Sequence, residues 1–355
     1  MKVLGIESSC DECAAAVVED GTRILSNVVA TQIPFHAAYK GVVPEIASRK
    51  HTEWIYTVVK EALDMAGLKP GEIEGVAAAS RPGLLGSLIV GLSFAKSFAW
   101  ARGIPFIAVD HMLAHLYASQ LDFGDRAAAY ARSSAGADKP AYPFLGLLVS
   151  GGHSIICRAG AFDEVAVLGT TVDDAAGEAF DKVAKHYGFG YPGGAVIDRL
   201  AGSGDADAFR FPMPNLHKGE HRYDVSYSGL KNAVINQLEQ FRTRPSRGGE
   251  AEKADIAASF QKTAVTILLR ALFNAAEDTG LATVVAGGGV AANSCLRALL
   301  AGREDLRCYF PPPEFCGDNG AMIAGIGCRY LERGDFSPLS TTAQARVSDF
   351  KKKLP

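Results

Sequence analysis

His111 and His115 stand four residues apart in the stretch Val109-Asp-His-Met-Leu-Ala-His-Leu116, directly after an apolar run over residues 105–109 that reads as a strand. Residues at i and i+4 of a helix leave the same face, and an aspartate placed just before the first turn accepts the free backbone N–H groups there. With Asp110 as that cap, both imidazoles project from the first turn of one helix, as two ligands of a single metal ion do. Met112 follows His111, so the glutamate of a His-Glu-x-x-His zinc protease, which activates the attacking water, is missing.

Three other segments have the composition of an anion-binding turn. Residues 3–18 and 145–157 each read as strand, polar or glycine-rich apex, strand, the apexes being Ser8-Ser-Cys-Asp-Glu12 and Ser150-Gly-Gly-His153. Small apex residues let backbone N–H groups approach a phosphate closely. The third, Val284-Val-Ala-Gly-Gly-Gly-Val-Ala-Ala-Asn293, follows a strand and precedes a helical pattern carrying Leu296, Leu299 and Leu300. A loop that delivers a phosphate to a helix N-terminus has this order. The duplicated hairpin and the third turn together point to a phosphate-binding cleft between two related lobes.

The elements that must carry these groups alternate. Helical spacing of apolar residues marks 43–66, 84–101, 177–187 and 254–278, and short strand-like runs such as 75–79 lie between them. The class is therefore α/β with two lobes. The expected division is residues 1–112 with 318–340 in an N-terminal lobe and 113–317 in a C-terminal lobe. Residues 124–141 read as an exposed loop or linker and 341–355 as a tail. A basic stretch, 241–253, holds Arg242, Arg244, Arg247 and Lys253 and reads as a solvated loop.

A chain of 355 residues, 48% hydrophobic, can bury a large core. The long apolar stretch 84–101 is interrupted by Ser87, Ser93 and Lys96, and no signal peptide is evident, so a cytoplasmic protein without a membrane span is expected. Seven cysteines, an odd number, read as reduced thiols, including the lone Cys10-x-x-Cys13. A formal charge of -3 gives no global basic footprint, so any nucleic acid must meet a local patch or a partner's surface.

These landmarks resemble the tRNA N6-threonylcarbamoyladenosine transferase family of the bacterial TsaD type, formerly grouped with glycoproteases. The resemblance rests on Gly5-Ile-Glu-Ser-Ser-Cys-Asp-Glu12, Gly41-Val-Val-Pro-Glu-Ile-Ala-Ser-Arg49 with His51, Asp110-His-Met-Leu-Ala-His115 and Leu148-Val-Ser-Gly-Gly-His153. It continues through Gly177-Glu-Ala-Phe-Asp-Lys182, Tyr191-Pro-Gly-Gly194, Ser228-Gly-Leu-Lys231, Gly287-Gly-Gly-Val-Ala-Ala-Asn293 and Cys316-Gly-Asp-Asn-Gly-Ala-Met322. The blocks stand in family order over nearly the whole chain. Three positions depart from the family pattern: Cys13 stands for threonine, Lys40 for a second glycine before Gly41, and Gly317 for threonine.

The resemblance implies two RNase-H-like lobes of the actin, sugar-kinase and heat-shock-chaperone superfamily around a nucleotide cleft. It implies a metal site of His111, His115 and Asp318 for one divalent ion, iron or zinc. It places threonylcarbamoyl-AMP, an acyl-adenylate, around Leu148, Val149, Ser150, Gly151, Gly152, Asp181, Gly194, Asp198 and Asn293. The implied reaction moves the threonylcarbamoyl group to N6 of the tRNA adenosine beside the anticodon, in tRNAs reading codons that begin with A, and releases AMP. Asp11 and Glu12, at the first apex, are candidates for the general base. The implied partners are tRNA, a catalytically silent paralogue as heterodimer, and a small ATPase. Read from the residues alone, Asp318 also suits the N-cap of a helix over residues 319–331. A small-molecule kinase of the same superfamily and a non-catalytic nucleotide-binding scaffold are the alternatives.

Overall fold

The computed structural model describes residues 1–124, 139–216, 218–243 and 250–346. Most of the expected 124–141 loop, Arg244 and Arg247 of the basic stretch, and the tail from residue 347 lie outside the described residues. Along the chain run β1 (Lys2–Glu7), β2 (Glu12–Glu19), β3 (Arg23–Thr31), α1 (Pro44–Met65), β4 (Gly75–Arg81), α2 (Leu85–Arg102), β5 (Phe106–Asp110) and α3 (His111–Tyr117). Then come β6 (Phe144–Val149), β7 (Ser154–Ala159), β8 (Val165–Thr170), α4 (Ala176–Tyr187), α5 (Gly193–Ala201), α6 (Ser228–Thr243), α7 (Glu250–Thr279), β9 (Thr283–Gly287), α8 (Ser294–Ala301), β10 (Arg307–Tyr309) and α9 (Gly320–Arg333).

The chain forms two compact units, Met1–Ala131 with Pro311–Phe350, and Arg132–Phe310 with Lys351–Pro355. The division differs from 112/113 and 317/318, because α3 continues straight from β5 and packs against α9. Each unit holds one five-stranded mixed sheet, ordered β3-β2-β1-β4-β5 in the first and β10-β9-β6-β7-β8 in the second. In the first, β1 pairs antiparallel with β2 and parallel with β4; in the second, β6 pairs antiparallel with β7 and parallel with β9. The two sheets thus repeat one topology. The duplicated hairpins read from the sequence are β1–β2 and β6–β7, with their apexes following Glu7 and Val149.

In the first unit the core lies between the sheet and helices α1 and α2, where Leu4, Ile6, Val17, Val58, Val59, Leu92 and Phe106 are buried together. The other face of that sheet meets α9 at unusually short range. A Cβ on Gly5 would stand 2.4 Å from the Ala324 nitrogen, and one on Gly320 2.5 Å from the Ala16 nitrogen. Only glycine allows that approach, and it brings the turn before α9 down onto the β1–β2 apex. In the second unit, residues Glu252–Thr279 of α7 are long and apolar enough to cross a membrane by length and composition, but 72% of that apolar window is buried in the protein. Packed against α5, α7 is the central helix of the unit.

Candidate metal centre and nucleotide cavity

Asp110 caps α3, its Oδ1 accepting from Met112 N at 2.9 Å and Leu113 N at 3.4 Å. The cap starts the helix at His111, and His111 and His115 leave it on one face, both buried. Their Nε2 atoms lie 3.2 Å apart. Asp318 arrives from the turn before α9, with Oδ1 at 3.1 Å from His115 Nε2 and 3.5 Å from His111 Nε2. The cap of α9 is Asn319, not Asp318: Asn319 Oδ1 accepts from Met322 N at 3.0 Å. Its Nδ2 also donates to the carbonyls of Phe315 and Gly317, at 3.2 and 2.9 Å. Asn319 so braces the turn and leaves the Asp318 carboxylate to face the histidines.

These three residues offer donor atoms that all lie within 4.8 Å of one another. Donors bound tetrahedrally at 2.0–2.1 Å stand about 3.3–3.4 Å apart, close to the separations found, so the set fits a divalent ion of the zinc or iron kind. Behind His111 sits Glu7, fully buried at the end of β1, with Oε2 at 2.8 Å from His111 Nδ1. A carboxylate accepts only, so Nδ1 carries a proton, and Nε2, turned toward Asp318 and His115, is the nitrogen whose lone pair becomes available to a metal once its own proton is displaced. Glu7 Oε1 accepts from Ser9 N at 2.5 Å, and Ser9 Oγ lies 3.3 Å from the same imidazole nitrogen.

The charges favour a cation at this point. Burial opposes protonation of His111, yet the Glu7 and Asp318 carboxylates outweigh it and push its pKa up to about 9. Burial and then the His111 charge lower that of His115. The Asp318 carboxyl is held well below its usual range, burial being overcome by His111 and the bond to His115. The fully buried Glu7 and half-buried Asp318 carboxylates, with one protonated imidazole, make a site that stabilises positive charge, whether a proton or a metal ion carries it.

Asp11 and Glu12 stand beside this cluster at the first apex. Burial raises the pKa of Asp11, and burial followed by the Asp11 charge pushes that of Glu12 up to about 8. Glu12 also lines a cavity of about 460 Å³ with Asn27 and Val29 of β3, Phe315, Gly317 and Asp318.

In the second unit a separate cavity of about 460 Å³ is lined by Gly151, Gly177, Phe180, Asp181, Gly194, Asp198, Gly289 and Asn293 among others. It gathers five of the residues expected around a nucleotide: Gly151, Asp181, Gly194, Asp198 and Asn293. Leu148 and Val149 do not line it; they lie in the core of β6, 1% and 0% exposed. Ser150 and Gly152 do not line it either. The Ser150 main chain closes the apex, its N–H donating to His153 O at 2.8 Å and its carbonyl accepting from Gly177 N at 3.2 Å.

The cavity's polar groups are held in place by one another. Asp181 Oδ1 accepts from Gly193 N at 2.7 Å. Asp198 Oδ1 accepts from Ser294 Oγ at 2.7 Å and from Asn293 Nδ2 at 3.2 Å. Asn293 Oδ1 meanwhile caps α8 through Leu296 N at 3.0 Å. Gly288 has φ +90°, and a Cβ there would lie 2.3 Å from Val149 O, so the third turn can pass β6 only as glycine.

A model of the family described as tRNA N6-adenosine threonylcarbamoyltransferase matches residues 23–325. The chain belongs to that family. It is 63% identical over 353 residues to the tRNA N6-adenosine threonylcarbamoyltransferase of Treponema denticola, covering 99% of each chain. To the protein of the same name from Treponema pallidum it is 54% identical, over 99% of this chain and 95% of the relative. Among solved structures, it is similar to component A of the (R)-2-hydroxyglutaryl-CoA dehydratase of Acidaminococcus fermentans, with TM-score 0.53 and 13% identity over 94% of this chain and 99% of that one. At that identity the likeness concerns the fold alone, an α/β arrangement with two mixed sheets.

Sequence reasoning singled out the metal ligands and missed the group behind them. Glu7 lies within the Gly5-Ile-Glu-Ser block, but its task depends on a contact across 104 residues. Its signal was a carboxylate at the inward end of an otherwise apolar strand. Arg81 was missed as well; its Nε lies 3.2 Å from Asp110 Oδ2, which holds the cap of α3 from the end of β4.

Proposed function

We propose that this protein transfers the threonylcarbamoyl group from threonylcarbamoyl-AMP to N6 of the adenosine beside the anticodon in tRNA, releasing AMP. The observation that carries this reading is the convergence of His111 Nε2, His115 Nε2 and Asp318 Oδ1, with Glu7 fixing the tautomer, in a chain of the threonylcarbamoyltransferase family. The repeated five-stranded topology supports reading the two units as RNase-H-like lobes of the actin and sugar-kinase superfamily.

In the transfer, the N6 lone pair forms a bond to the carbamoyl carbon, the carbon–oxygen bond to the phosphate breaks, and AMP leaves with that electron pair. The N6 proton must pass to a base. Glu12 is the better placed of the two apex carboxylates, because it lines the same cavity as Asp318. His111, His115 and Asp318 would hold a divalent iron or zinc ion, which when bound supplies Lewis-acid polarisation of a substrate oxygen. Gly151, Asp181, Gly194, Asp198 and Asn293 would hold the adenylate, Gly151 and Gly194 by close backbone approach and Asp181, Asp198 and Asn293 through their fixed polar side chains. An exocyclic amine is a weak nucleophile, so positioning is the main task of these residues. A cytoplasmic location, a silent paralogue and a small ATPase as partners complete the proposal; a slightly acidic chain acting on tRNA gains from a composite basic surface.

The test is transfer of labelled threonine into unmodified tRNA, with the adenylate synthase and partner proteins supplied. Label should enter tRNA with the intact protein and fall to background with Asp318→Ala. A partner set proven active with a relative, yet giving no label with the intact protein, refutes the transferase reading.

A further inference from the structure

One buried amide stands inside the long apolar helix α7, and its hydrogen bond leads to the nucleotide cavity. Gln261 is 4% exposed, and Ala257, Phe260, Ala264 and Val265 around it on the helix are buried apolar residues. A polar side chain in such surroundings is a cost unless it is hydrogen-bonded. Gln261 Oε1 accepts from Asn293 Nδ2 at 2.9 Å. Asn293, itself buried, lines the cavity together with Asp198, whereas Gln261 does not line it. The same Nδ2 donates to Asp198 Oδ1 at 3.2 Å, and Asn293 Oδ1 accepts from Leu296 N at 3.0 Å. Ser294 also holds Asp198, donating from Oγ to Oδ1 at 2.7 Å and from N to both carboxylate oxygens at 3.2 Å.

We infer that Gln261 is a positioning residue for nucleotide binding, acting through Asn293 on Asp198. This inference rests on the reading that the cavity takes the adenylate, and it names a residue behind the wall that sets how the wall meets it. An asparagine amide has two hydrogens to donate and one oxygen to accept with. The Leu296 N–H takes the oxygen, which decides which end of the amide faces Gln261. Gln261 and Asp198 then take one hydrogen each, so Asn293 has none left for a ligand. Asn293 Oδ1 and the Asp198 carboxylate therefore meet a ligand as acceptors alone, which suits the hydroxyl and amine donors of an adenosine. With an apolar side chain at position 261, one Nδ2 hydrogen becomes a buried donor without a partner. Recovering a partner requires the amide to turn, and turning breaks the cap of α8 or the bond to Asp198.

The test uses AMP, the released product, titrated into the full-length protein with partner proteins present. Gln261→Met keeps the length of the side chain and removes the acceptor, so AMP should bind about tenfold more weakly than to the parent, with bound metal unchanged. In the complete transfer system, KM for threonylcarbamoyl-AMP should rise by a similar factor while kcat and KM for tRNA stay as they are. Asn293→Ala removes the group through which Gln261 acts, so adding Gln261→Met to it should weaken AMP binding no further. A general loosening of the fold would instead weaken AMP by the same factor in both backgrounds. Circular dichroism identifies a Gln261→Met protein that fails to fold, in which case Gln261→Leu, which also lacks an acceptor, takes its place in every comparison. AMP binding as tight as the parent's, an equal loss in both backgrounds, or a fall in kcat with KM unchanged overturns the proposal. A folded parent that does not bind AMP strikes the adenylate reading of the cavity instead, which separates the two failures.

Discussion

Replacing Glu7 by glutamine keeps the side chain's size and changes what it can accept. Glu7 takes two hydrogen bonds from buried donors, His111 Nδ1–H at 2.8 Å and Ser9 N–H at 2.5 Å. A glutamine offers one oxygen, so one of these donors would face an NH2 group and lose its partner. The charge that holds the proton on Nδ1 is lost as well. Partners placed behind a metal ligand in this way are worth about 10–100-fold in metal affinity, or about 1.4–2.7 kcal/mol. Glu7→Gln should therefore bind ferrous iron or zinc at least about tenfold more weakly. The unpaired buried donor should also cost about 1–3 kcal/mol of stability. Competition titration against a metal indicator at fixed pH gives the affinity, and urea denaturation of the same preparation gives the stability. A Glu7→Gln protein that is less stable but binds metal as tightly as the parent refutes the reasoning, because Glu7 would then be a fold residue alone.

Three further outcomes are expected. Gly288→Ala should lose on the order of 3 kcal/mol in denaturant unfolding, since its Cβ would collide with Val149 O at 2.3 Å in a positive-φ backbone. Lys40 occupies the left-handed region with φ +54°, where the family pattern has glycine, so Lys40→Gly should raise stability, by up to about 1 kcal/mol. Asp174 is held below the usual carboxylate range, burial being outweighed by hydrogen bonds and charge from Lys182 and Lys231. A depressed carboxylate contributes stability that is present above its unfolded pKa and is lost as pH falls through the folded value. Unfolding measured against pH should accordingly show Asp174→Asn destabilised near neutrality, with the gap to the parent closing in acid below about pH 4. A gap of constant size would assign the effect to packing.

What the sequence disclosed followed the range of the interaction concerned. The histidine pair needed only helical spacing and Asp110, all within one turn, and the structure reproduces both. Asp318 was reachable through family resemblance, because its meeting with His115 spans 203 residues and depends on Gly5 and Gly320 letting α9 descend onto β1 and β2. Asp318 and Asn319 are both good caps, and composition alone does not say which accepts from Met322. The tertiary position of Asp318 beside two imidazoles decides it. Leu148 and Val149 belong to the glycine-rich block by sequence, yet the strand continues through them and their side chains face the core. The cavity on β3 was invisible because its walls come from residues of ordinary strand character and a short turn near residue 315.

The central claim is that His111, His115 and Asp318 act together in the transfer. The most direct measurement is single-turnover transfer from preformed threonylcarbamoyl-AMP to unmodified tRNA, with partner proteins present. It would use chelator-treated protein before and after restoring a divalent metal, alongside His115→Ala. The account predicts loss of transfer on chelation, recovery with metal in the parent, and no recovery in His115→Ala although its fold and adenylate binding persist. Equal rates before chelation, after chelation and in the variant would contradict it.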